Sequence, residues 1–139
     1  MNALIVDDIP ENRNLLADIL KPFAQCDVAA NGLEAVEIFE AELVDGSPYD
    51  LVLLDIMMPV MDGQEALKKM RALEQEHHVP EENQTAIIMI TAVDAMSEIT
   101  EAFEKGGCTD YLHKPITRGK LLVKLGEHGL VAKDWWKIS

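Results

Sequence analysis

The sequence predicts an α/β fold in which helices cover both faces of one parallel β-sheet. Short apolar segments alternate with amphipathic segments, and this alternation repeats five times along the chain. The apolar segments are continuous, which is typical of strands that are buried on both faces. Parallel strands need right-handed crossovers, and these place helices on both sides of the sheet. With 139 residues, 48% of them hydrophobic, the chain is long enough to form one domain with a substantial core.

The first half of the chain predicts two strands, each followed by a helix. The strands are Ala3–Val6 and about Gln25–Ala29, and the second is interpreted as an edge strand. The first helix is predicted within residues 11–23, where Pro22 marks its end. Asn31-Gly32 introduces the second helix, at residues 33–43. We expect the apolar positions at helical spacing to face the core, namely Leu15, Leu16, Ile19, Leu20, Leu33, Val36, Ile38 and Phe39.

The second half predicts three more strand–helix pairs. Leu51–Leu54 and Ala86–Ile90 are the third and fourth strands, and the fifth and shortest lies within residues 110–115. The helices that follow are predicted at residues 63–76, 95–107 and 116–129. The fourth of the five helices is expected to end at the paired glycines Gly106 and Gly107.

Composition excludes several classes of function. The formal net charge of −13 repels nucleic acid phosphates, so direct nucleic acid binding by this chain is not expected. No run approaches the roughly 18 apolar residues needed to cross a bilayer, and the N-terminus does not resemble a secretory signal. Cys26 and Cys108 lack metal-type spacing, and we favour free thiols over a disulfide. The sequence therefore predicts a cytoplasmic protein without membrane insertion.

Charged and polar side chains follow the predicted strands at the point where each strand ends. Asp7 and Asp8 follow the first strand, and Asp55 follows the third. Thr91 follows the fourth strand, and Lys114 follows the fifth. Because the carboxyl ends of parallel strands share one edge of the sheet, these five side chains are expected to meet there.

The three carboxylates at this edge need a counter-charge. Like charges at a few ångströms repel, and at least one pKa rises unless the charges are neutralised. Lys114 supplies one positive charge. Mg²⁺ suits the remainder, since it takes oxygen ligands, accepts one or two carboxylates and readily adds a phosphate oxygen. Zinc fits poorly because these positions contain no histidine or cysteine.

The same residue types are those that phosphoryl transfer requires. Its transition state needs a nucleophile, a metal, a fixed cation and hydrogen-bond donors around the transferred group. An aspartate can itself be the nucleophile and form an acyl phosphate. Asp55 is the favoured nucleophile, because it is the lone acid on a central strand, and the adjacent pair Asp7 and Asp8 suits metal binding.

Four ordered motifs resemble the receiver domain of two-component response regulators. They are VDD at 6–8, LLDIMMPVMDG at 53–63, MITA at 89–92 and YLHKP at 111–115. The intervals between Asp8, Asp55, Thr91 and Lys114 agree as well, and the resemblance runs from about Ala3 to His128. It implies a doubly wound, flavodoxin-like five-stranded parallel sheet of order 2-1-3-4-5 with five flanking helices. Residues 1–128 would form the receiver domain and residues 129–139 a C-terminal tail.

The resemblance implies a role for each residue of the metal site and for the phosphoacceptor. Asp55 would accept the phosphoryl group. Asp8 would bind Mg²⁺ directly, with Mn²⁺ as a further candidate, and Asp7 would bind it largely through water. The backbone carbonyl of Met57 would be another ligand. Independently of the resemblance, we expect the side chains of Met57 and Met58 to flank the mouth of the pocket, where their bulk slows the approach of water.

The resemblance also implies roles for the residues that sense the phosphoryl group. Thr91 would hydrogen-bond it and Lys114 would pair with it. Pro115 resembles a family proline that is preceded by a cis peptide. Tyr111 would be the switch aromatic that turns inward when Thr91 moves toward the phosphate. Gly63 matches the turn glycine that opens the third helix.

By this resemblance the chain would be a signalling phosphoacceptor and not an enzyme in the usual sense. A sensor histidine kinase or a histidine phosphotransfer protein would supply the phosphoryl group to a single-domain regulator or to a receiver taken from a larger protein. The output surface would comprise the fourth helix, fifth strand and fifth helix. Trp135 and Trp136 lie next to it, and they either pack against the last helix, which we favour, or contact a partner.

Three other functions are compatible with parts of the sequence. A phosphatase of the haloacid dehalogenase type also uses a strand-end aspartate and Mg²⁺, but the second acid of its motif is missing from DIMM at 55–58. A flavodoxin-like FMN carrier would need Ser, Thr or Gly in the loop after the first strand, where this chain has DDIPEN. A phosphorylation-independent interaction module remains, and the intact set of acids argues against it.

Overall fold

The fold is a five-stranded parallel sheet with the strand order β2-β1-β3-β4-β5, which confirms the predicted topology. The computed structural model describes residues 1–92 and 96–137. The strands span Asn2–Val6 (β1), Gln25–Ala29 (β2), Leu51–Asp55 (β3), Ala86–Thr91 (β4) and Asp110–His113 (β5).

Helices cover both faces of this sheet. They span Pro10–Leu20 (α1), Gly32–Val44 (α2), Gly63–Glu76 (α3), Met96–Glu101 (α4) and Arg118–Glu127 (α5). The helices α1 and α5 pack on one face, and α2, α3 and α4 pack on the other. Short 3-10 turns occur at Glu81–Asn83 and Trp135–Lys137. Among the described residues, no helix is both long enough and apolar enough to cross a bilayer.

Strand β3 is the most buried element of the sheet. Its residues from Leu51 to Leu54 are fully buried, and β1 and β4 pair with it on either side. Strand order reverses between β1 and β3, which creates a crevice at the carboxyl edge of the sheet. The last residue of β3 is Asp55, so the side chain at this crevice is attached to the most buried strand of the sheet.

Helix α3 has the predicted bounds, helix α2 extends one residue beyond the prediction at each end, and a polar side chain caps the start of both. The Asn31 side chain accepts a hydrogen bond from the backbone N–H of Glu34, and the Asp62 side chain accepts one from the N–H of Glu65. Helix α1 begins one residue earlier than expected, at Pro10, whose missing N–H costs nothing in the first turn.

Two apolar helix positions do not face the core, contrary to expectation. Leu15 is 48% exposed and Leu33 is 43% exposed. The buried stripe of α1 consists of Leu16, Ile19 and Leu20, so the side chain at position 15 projects at its edge. An apolar stripe read from spacing alone is wider than the surface that the sheet covers.

The predicted fourth helix changes its geometry part-way along. Its start at Ala95 lies outside the described residues, and after Glu101 the chain continues as a π-helix over Ala102–Gly106. A Cβ at Gly106 would overlap the side chain of Leu67 on α3, so the backbone packs directly on that leucine. The helix ends, as predicted, at the glycine pair, where Gly107 adopts a φ of 73°.

The two cysteines are free thiols, in agreement with the sequence analysis. Cys108 is buried, and burial raises its pKa to about 11. Burial also raises the pKa of the partly buried Cys26. Because the thiolate is the reactive form, both side chains act as small apolar groups near neutral pH.

Gly63 provides a direct test of how β3 and α3 are joined. A Cβ at this position would overlap the carbonyl oxygen of Asp55 and lie 2.8 Å from Cα of Ile56. We therefore expect Gly63→Ala to lower the free energy of unfolding by about 1–3 kcal/mol. Gly119→Ala on α5 is the matched control, because a Cβ there meets nothing within 4 Å. It should raise the free energy of unfolding by about 0.5–1 kcal/mol. Urea unfolding measures both, and equal stability of Gly63→Ala and wild type would contradict this account.

Candidate functional site

Three aspartates converge at the carboxyl edge of the sheet. Oxygen atoms of Asp7, Asp8 and Asp55 all lie within 4.8 Å of one another. Asp7 is 1% exposed and Asp55 is 3% exposed, whereas Asp8 faces solvent. The structure thus brings together the acids that the strand-end pattern predicts, and it leaves one of them open to solvent.

Local hydrogen bonds hold Asp7 in place. One oxygen of its carboxylate, Oδ1, accepts the backbone N–H of Ile9 at 2.9 Å. Its backbone carbonyl accepts a hydrogen bond from Nη1 of Arg13 at 2.8 Å, and its N–H donates to the carbonyl of Ala29 at 3.2 Å. The sequence analysis missed Arg13. Its position in the first turns of α1, which begins directly after the acidic pair, was the available signal.

Lys114 is the cation that faces these acids. Its ammonium Nζ lies 3.0 Å from Oδ2 of Asp55 and 3.9 Å from Oδ2 of Asp7. The other carboxylate oxygen of Asp55, Oδ1, accepts the backbone N–H of Met57 at 3.2 Å. The N–H of Lys114 donates to the carbonyl of Thr91 at 2.8 Å, and the bond between Lys114 and Pro115 is a cis peptide, as expected.

These contacts shift the pKa values of the central pair. Burial raises the pKa of Asp55 and the charge of Asp7 adds to this, while the hydrogen bond from Lys114 opposes it. Burial alone would lower the pKa of Lys114, but the hydrogen bond and charge of Asp55, together with Asp7 and Asp8, raise it overall. One lysine therefore compensates only part of the repulsion among the carboxylates.

Thr91 lies on β4 and Tyr111 lies on β5. Thr91 is buried at the end of β4, directly after Ile90, the residue that pairs with Asp55. The ring of Tyr111 is in edge contact with Phe103 at 6.0 Å and with His113 at 5.2 Å between centroids. Lys124 also lies over this ring, with its Nζ 6.0 Å from the centroid.

The loop after β3 places Met57 beside the acids. The Met57 side chain is 72% exposed, so it extends from the edge of the site into solvent. The loop closes where the N–H of Gly63 donates to the carbonyl of Ile56 at 2.8 Å. Val60 has a positive φ of 70°, which reverses the chain between these two points.

The donor set at this edge fits a hard divalent cation. Three carboxylates supply oxygen ligands within 4.8 Å of one another, two of them buried and one exposed. Mg²⁺ prefers such ligands and retains several of its waters, which the exposed side of the cluster would accommodate. Asp7 and Asp55 are buried carboxylates that share Lys114 as an ion-pair partner, so a bound cation would relieve their mutual repulsion.

An apolar cavity opens next to the acids. Its volume is about 390 Å³, and it reaches Asp7 and Lys114 at one end. The rest of its lining comes from α1, β4 and the segment after β5, namely Asn12, Leu15, Leu16, Ile90, Pro115 and Ile116. Leu15, which is exposed and lies outside the core, therefore lines the cavity beside the acids.

The chain matches the sequence model of a protein family. The model described as response regulator receiver domain matches residues 3–126. The chain belongs to this family. It is 35% identical over 121 residues to the chemotaxis protein CheY of Halobacterium salinarum, which covers 86% of this chain and 89% of that protein. The chain is also 37% identical over 122 residues to the histidine-protein kinase BarA of Escherichia coli. That match covers 87% of this chain but only 12% of the length of BarA.

Solved structures of receivers share the fold. CheY in the CheX–CheY–BeF3–Mg complex from Borrelia burgdorferi superposes with a TM-score of 0.79 at 27% identity, covering 93% of this chain and 89% of that chain. The structure of the Saccharomyces cerevisiae phosphotransfer protein Ypd1 with the receiver domain of Ssk1 gives a TM-score of 0.77 at 30% identity, covering 91% and 87%.

The raised pKa of Asp55 predicts how the receiver responds to pH without a divalent cation. Since folding raises this pKa above its ordinary value of 3.8, the folded state binds the proton more tightly than the unfolded chain. The contribution of Asp55 to the free energy of unfolding should therefore rise as the pH falls through the folded pKa, and level off below 3.8. Carboxyl NMR titration should place the Asp55 pKa above 3.8.

Two variants separate the causes of this shift. Asp7→Asn should lower the pKa of Asp55, because a repelling charge is removed, and Lys114→Met should raise it, because a hydrogen bond is lost. A pKa of Asp55 that does not respond to either substitution would contradict the assigned causes.

Proposed function

We propose that this receiver accepts a phosphoryl group on Asp55 from a phosphohistidine, in a Mg²⁺-dependent reaction, and changes conformation to signal to a partner protein. The observation that carries the proposal is the placement of Asp55 at the end of a fully buried strand. There it contacts Lys114 at 3.0 Å and lies within 4.8 Å of Asp7 and Asp8. A nucleophile, a fixed cation and a set of metal ligands are thus in one crevice.

In the proposed step a carboxylate oxygen of Asp55 attacks the phosphorus of the donor. The bond between phosphorus and the imidazole nitrogen breaks, and its electron pair stays on that nitrogen, leaving histidine and an aspartyl phosphate. Lys114, held close to Asp55 by their hydrogen bond, would then pair with the phosphoryl oxygens. The buried hydroxyl of Thr91, one residue beyond the pairing partner of Asp55, would donate a hydrogen bond to the same group.

The proposed metal ligands are Asp8 directly, Asp7 largely through water, Asp55 and the backbone carbonyl of Met57. When bound, Mg²⁺ neutralises the carboxylates and stabilises the charge on the transferred group, and Mn²⁺ is a further candidate. Support comes from the convergence of the three acids and from the relative crystallised with BeF3 and Mg. The hydrogen bonds from Arg13 and Ile9 fix Asp7 before any ion binds.

The proposed donors are a sensor histidine kinase and a histidine phosphotransfer protein. The apolar cavity beside Asp7 and Lys114 offers such a protein a docking surface close to the nucleophile. The structure of Ypd1 with the Ssk1 receiver supports this choice of partner class. Because the acidic chain would repel another acidic surface, apolar contacts through Leu15 and Ile116 suit this docking better than charge pairing.

The proposed output surface consists of α4, β5 and α5, with Thr91 and Tyr111 as the switch. The Tyr111 ring packs between Phe103 of the π-helical segment and Lys124 of α5, whose Nζ lies 6.0 Å from the ring centroid. When Thr91 moves toward the phosphoryl group, Tyr111 turns inward and these contacts rearrange. Phosphorylation thereby favours one of two surface shapes, which a downstream protein reads.

We further propose that residues 1–128 form the receiver and residues 129–139 a tail, and that the protein acts in the cytoplasm. Its chemistry would be limited to its own phosphorylation and dephosphorylation. A phosphorylation-independent interaction module of the same fold is the alternative, and a phosphatase with an aspartate nucleophile is a weaker one. The lysine that faces Asp55 favours a phosphoacceptor over the first alternative, since a passive module needs no such pair.

Acetyl phosphate tests the proposed reaction without a known kinase. With Mg²⁺ present, wild-type protein should gain one phosphoryl group as a base-labile adduct, and Asp55→Asn should gain none. Asp18→Asn, which removes an exposed carboxylate of α1 away from the site, is the matched control and should react like wild type. Intact-mass spectrometry before and after base treatment measures the adduct. Absence of an adduct on wild type would support the interaction module, and rapid repeated turnover of small phosphoesters would support the phosphatase.

The exposed Met57 side chain predicts the lifetime of the adduct. Its bulk at the edge of the site should hinder water from reaching the phosphorus. Met57→Asn should therefore shorten the lifetime by about threefold or more, as expected when a group that excludes water is removed. The rate of phosphate release measures this, with Val44→Asn on α2 as a control at another exposed apolar residue. An unchanged lifetime in Met57→Asn would show that the side chain does not control access of water.

A further inference from the structure

Positive charge is concentrated at the C-terminal end of this acidic chain. Residues 114–139 contain 6 of the 12 basic residues but only 2 of the 25 acids, which gives a local net charge of +4. The first 113 residues carry the other 6 basic and 23 acidic residues, a net charge of −17. Apart from Lys114, these basic residues lie on α5 and the tail, namely Arg118, Lys120, Lys124, Lys133 and Lys137. Two of them already have acidic partners, since Lys124 pairs with Asp110 and Lys137 pairs with Asp134.

An apolar groove lies between α5 and the tail. Val123 and Gly126 form its α5 side, and Trp135 and Trp136 of the 3-10 turn form the other. Its volume is about 330 Å³, and Lys133 and Glu127 complete the lining. Val123 is 52% exposed and Trp136 is 62% exposed, so two large apolar side chains of the groove face solvent.

The tail is packed onto the domain, which gives the groove a defined shape. The N–H of Leu130 donates to the carbonyl of Leu125 at 2.9 Å, and Val131 is buried in the core. A Cβ at Gly126 would lie 3.9 Å from Cα of Lys133, so the tail passes closely over α5 at this glycine. The guanidinium of Arg118 lies 5.2 Å from the centroid of Trp135 and ties the turn to the start of α5.

The groove lies on a different flank of α5 from the proposed output surface. Lys124 faces Tyr111 of β5, whereas its neighbour Val123 faces the tail. Successive residues of a helix are rotated by about 100°, so the two side chains point in different directions. Binding in the groove would leave the ring contacts of Tyr111 accessible.

We propose that the groove between α5 and the tail binds an acidic peptide segment of a partner protein. An apolar side chain of that segment enters between Val123 and Trp136, and its carboxylates lie against Lys133 of the lining and Arg118, which stacks on Trp135. This function is separate from phosphorylation, since none of these residues belongs to the site around Asp55.

Charge and shape both favour a peptide over an anionic membrane or a nucleic acid. A concavity of about 330 Å³ accommodates a single side chain, whereas a membrane surface needs a flat or protruding contact. The net charge of −17 on the rest of the chain repels any large polyanion at longer range. A short acidic segment, by contrast, reaches Lys133 and Arg118 without lying over the acidic part of the chain.

The two tryptophans of the chain allow a specific measurement. Both lie in the groove, so intrinsic tryptophan emission reports on this surface alone. The probe is a synthetic peptide of alternating glutamate and leucine, which contains no tryptophan. Titration should give a saturable change in emission that weakens as salt is raised.

Matched variants identify the surface that binds. Val123→Glu and Lys133→Glu should each raise the dissociation constant by about tenfold. The first places a negative charge in the groove, and the second reverses the charge at position 133. Val44→Glu on α2 and Lys69→Glu on α3 make the same changes on the opposite face of the sheet and should stay within about twofold of wild type. All four positions are exposed, and circular dichroism checks that each variant is folded.

Four outcomes would overturn the proposal. They are an emission that does not respond to the acidic peptide, an equal response to a lysine–leucine peptide, and a response to phosphatidylserine vesicles with none to the peptide. The fourth is self-association of the protein alone that Val123→Glu abolishes in sedimentation, which would assign the groove to a second copy of the chain.

Discussion

The close approach of three carboxylates at one edge of the sheet is the constraint on which the rest of the site depends. Asp7 and Asp55 are buried there, and Lys114 is the cation that contacts both. Burial, together with the charge of Asp7, raises the pKa of Asp55 although the hydrogen bond from Lys114 opposes the rise. A site of this kind is stabilised by anything that adds positive charge among the acids. The electrostatic imbalance therefore favours a divalent cation with oxygen ligands at this edge.

The fold maintains this imbalance because the strands that carry the acids have little freedom to move. The residues before Asp55 are buried on both faces of β3, and β1 holds Asp7 beside them in parallel register. Gly63 packs on the carbonyl of Asp55, which fixes the loop that follows it. Lys114 directly follows β5, and its backbone N–H is held by a hydrogen bond to the carbonyl of Thr91. Helices on both faces supply the burial, while the open edge supplies access to solvent and to partners.

The sequence alone predicts this arrangement where burial and strand direction determine it. Continuous apolar runs indicate doubly covered strands, and the residue after each run then lies at the common edge, as Asp7, Asp55 and Lys114 do. Contacts between distant segments are not encoded in a local pattern. Examples are the hydrogen bond from Arg13 to the carbonyl of Asp7, and the packing of Gly106 on Leu67, which accompanies the π-helical turn. Leu15 has the spacing of a core residue but lies in a surface cavity, because the width of the covered face depends on neighbouring elements.

Thermal unfolding in the presence and absence of Mg²⁺ tests the central claim most directly. If uncompensated carboxylates define the site, Mg²⁺ should raise the midpoint temperature of wild-type protein, and the rise should grow with the logarithm of the ion concentration above its dissociation constant. Asp8→Asn, which removes the exposed carboxylate of the cluster, should reduce this rise, and Asp18→Asn should retain it in full. A midpoint that is the same in Mg²⁺ and in EDTA for wild-type protein would contradict the account.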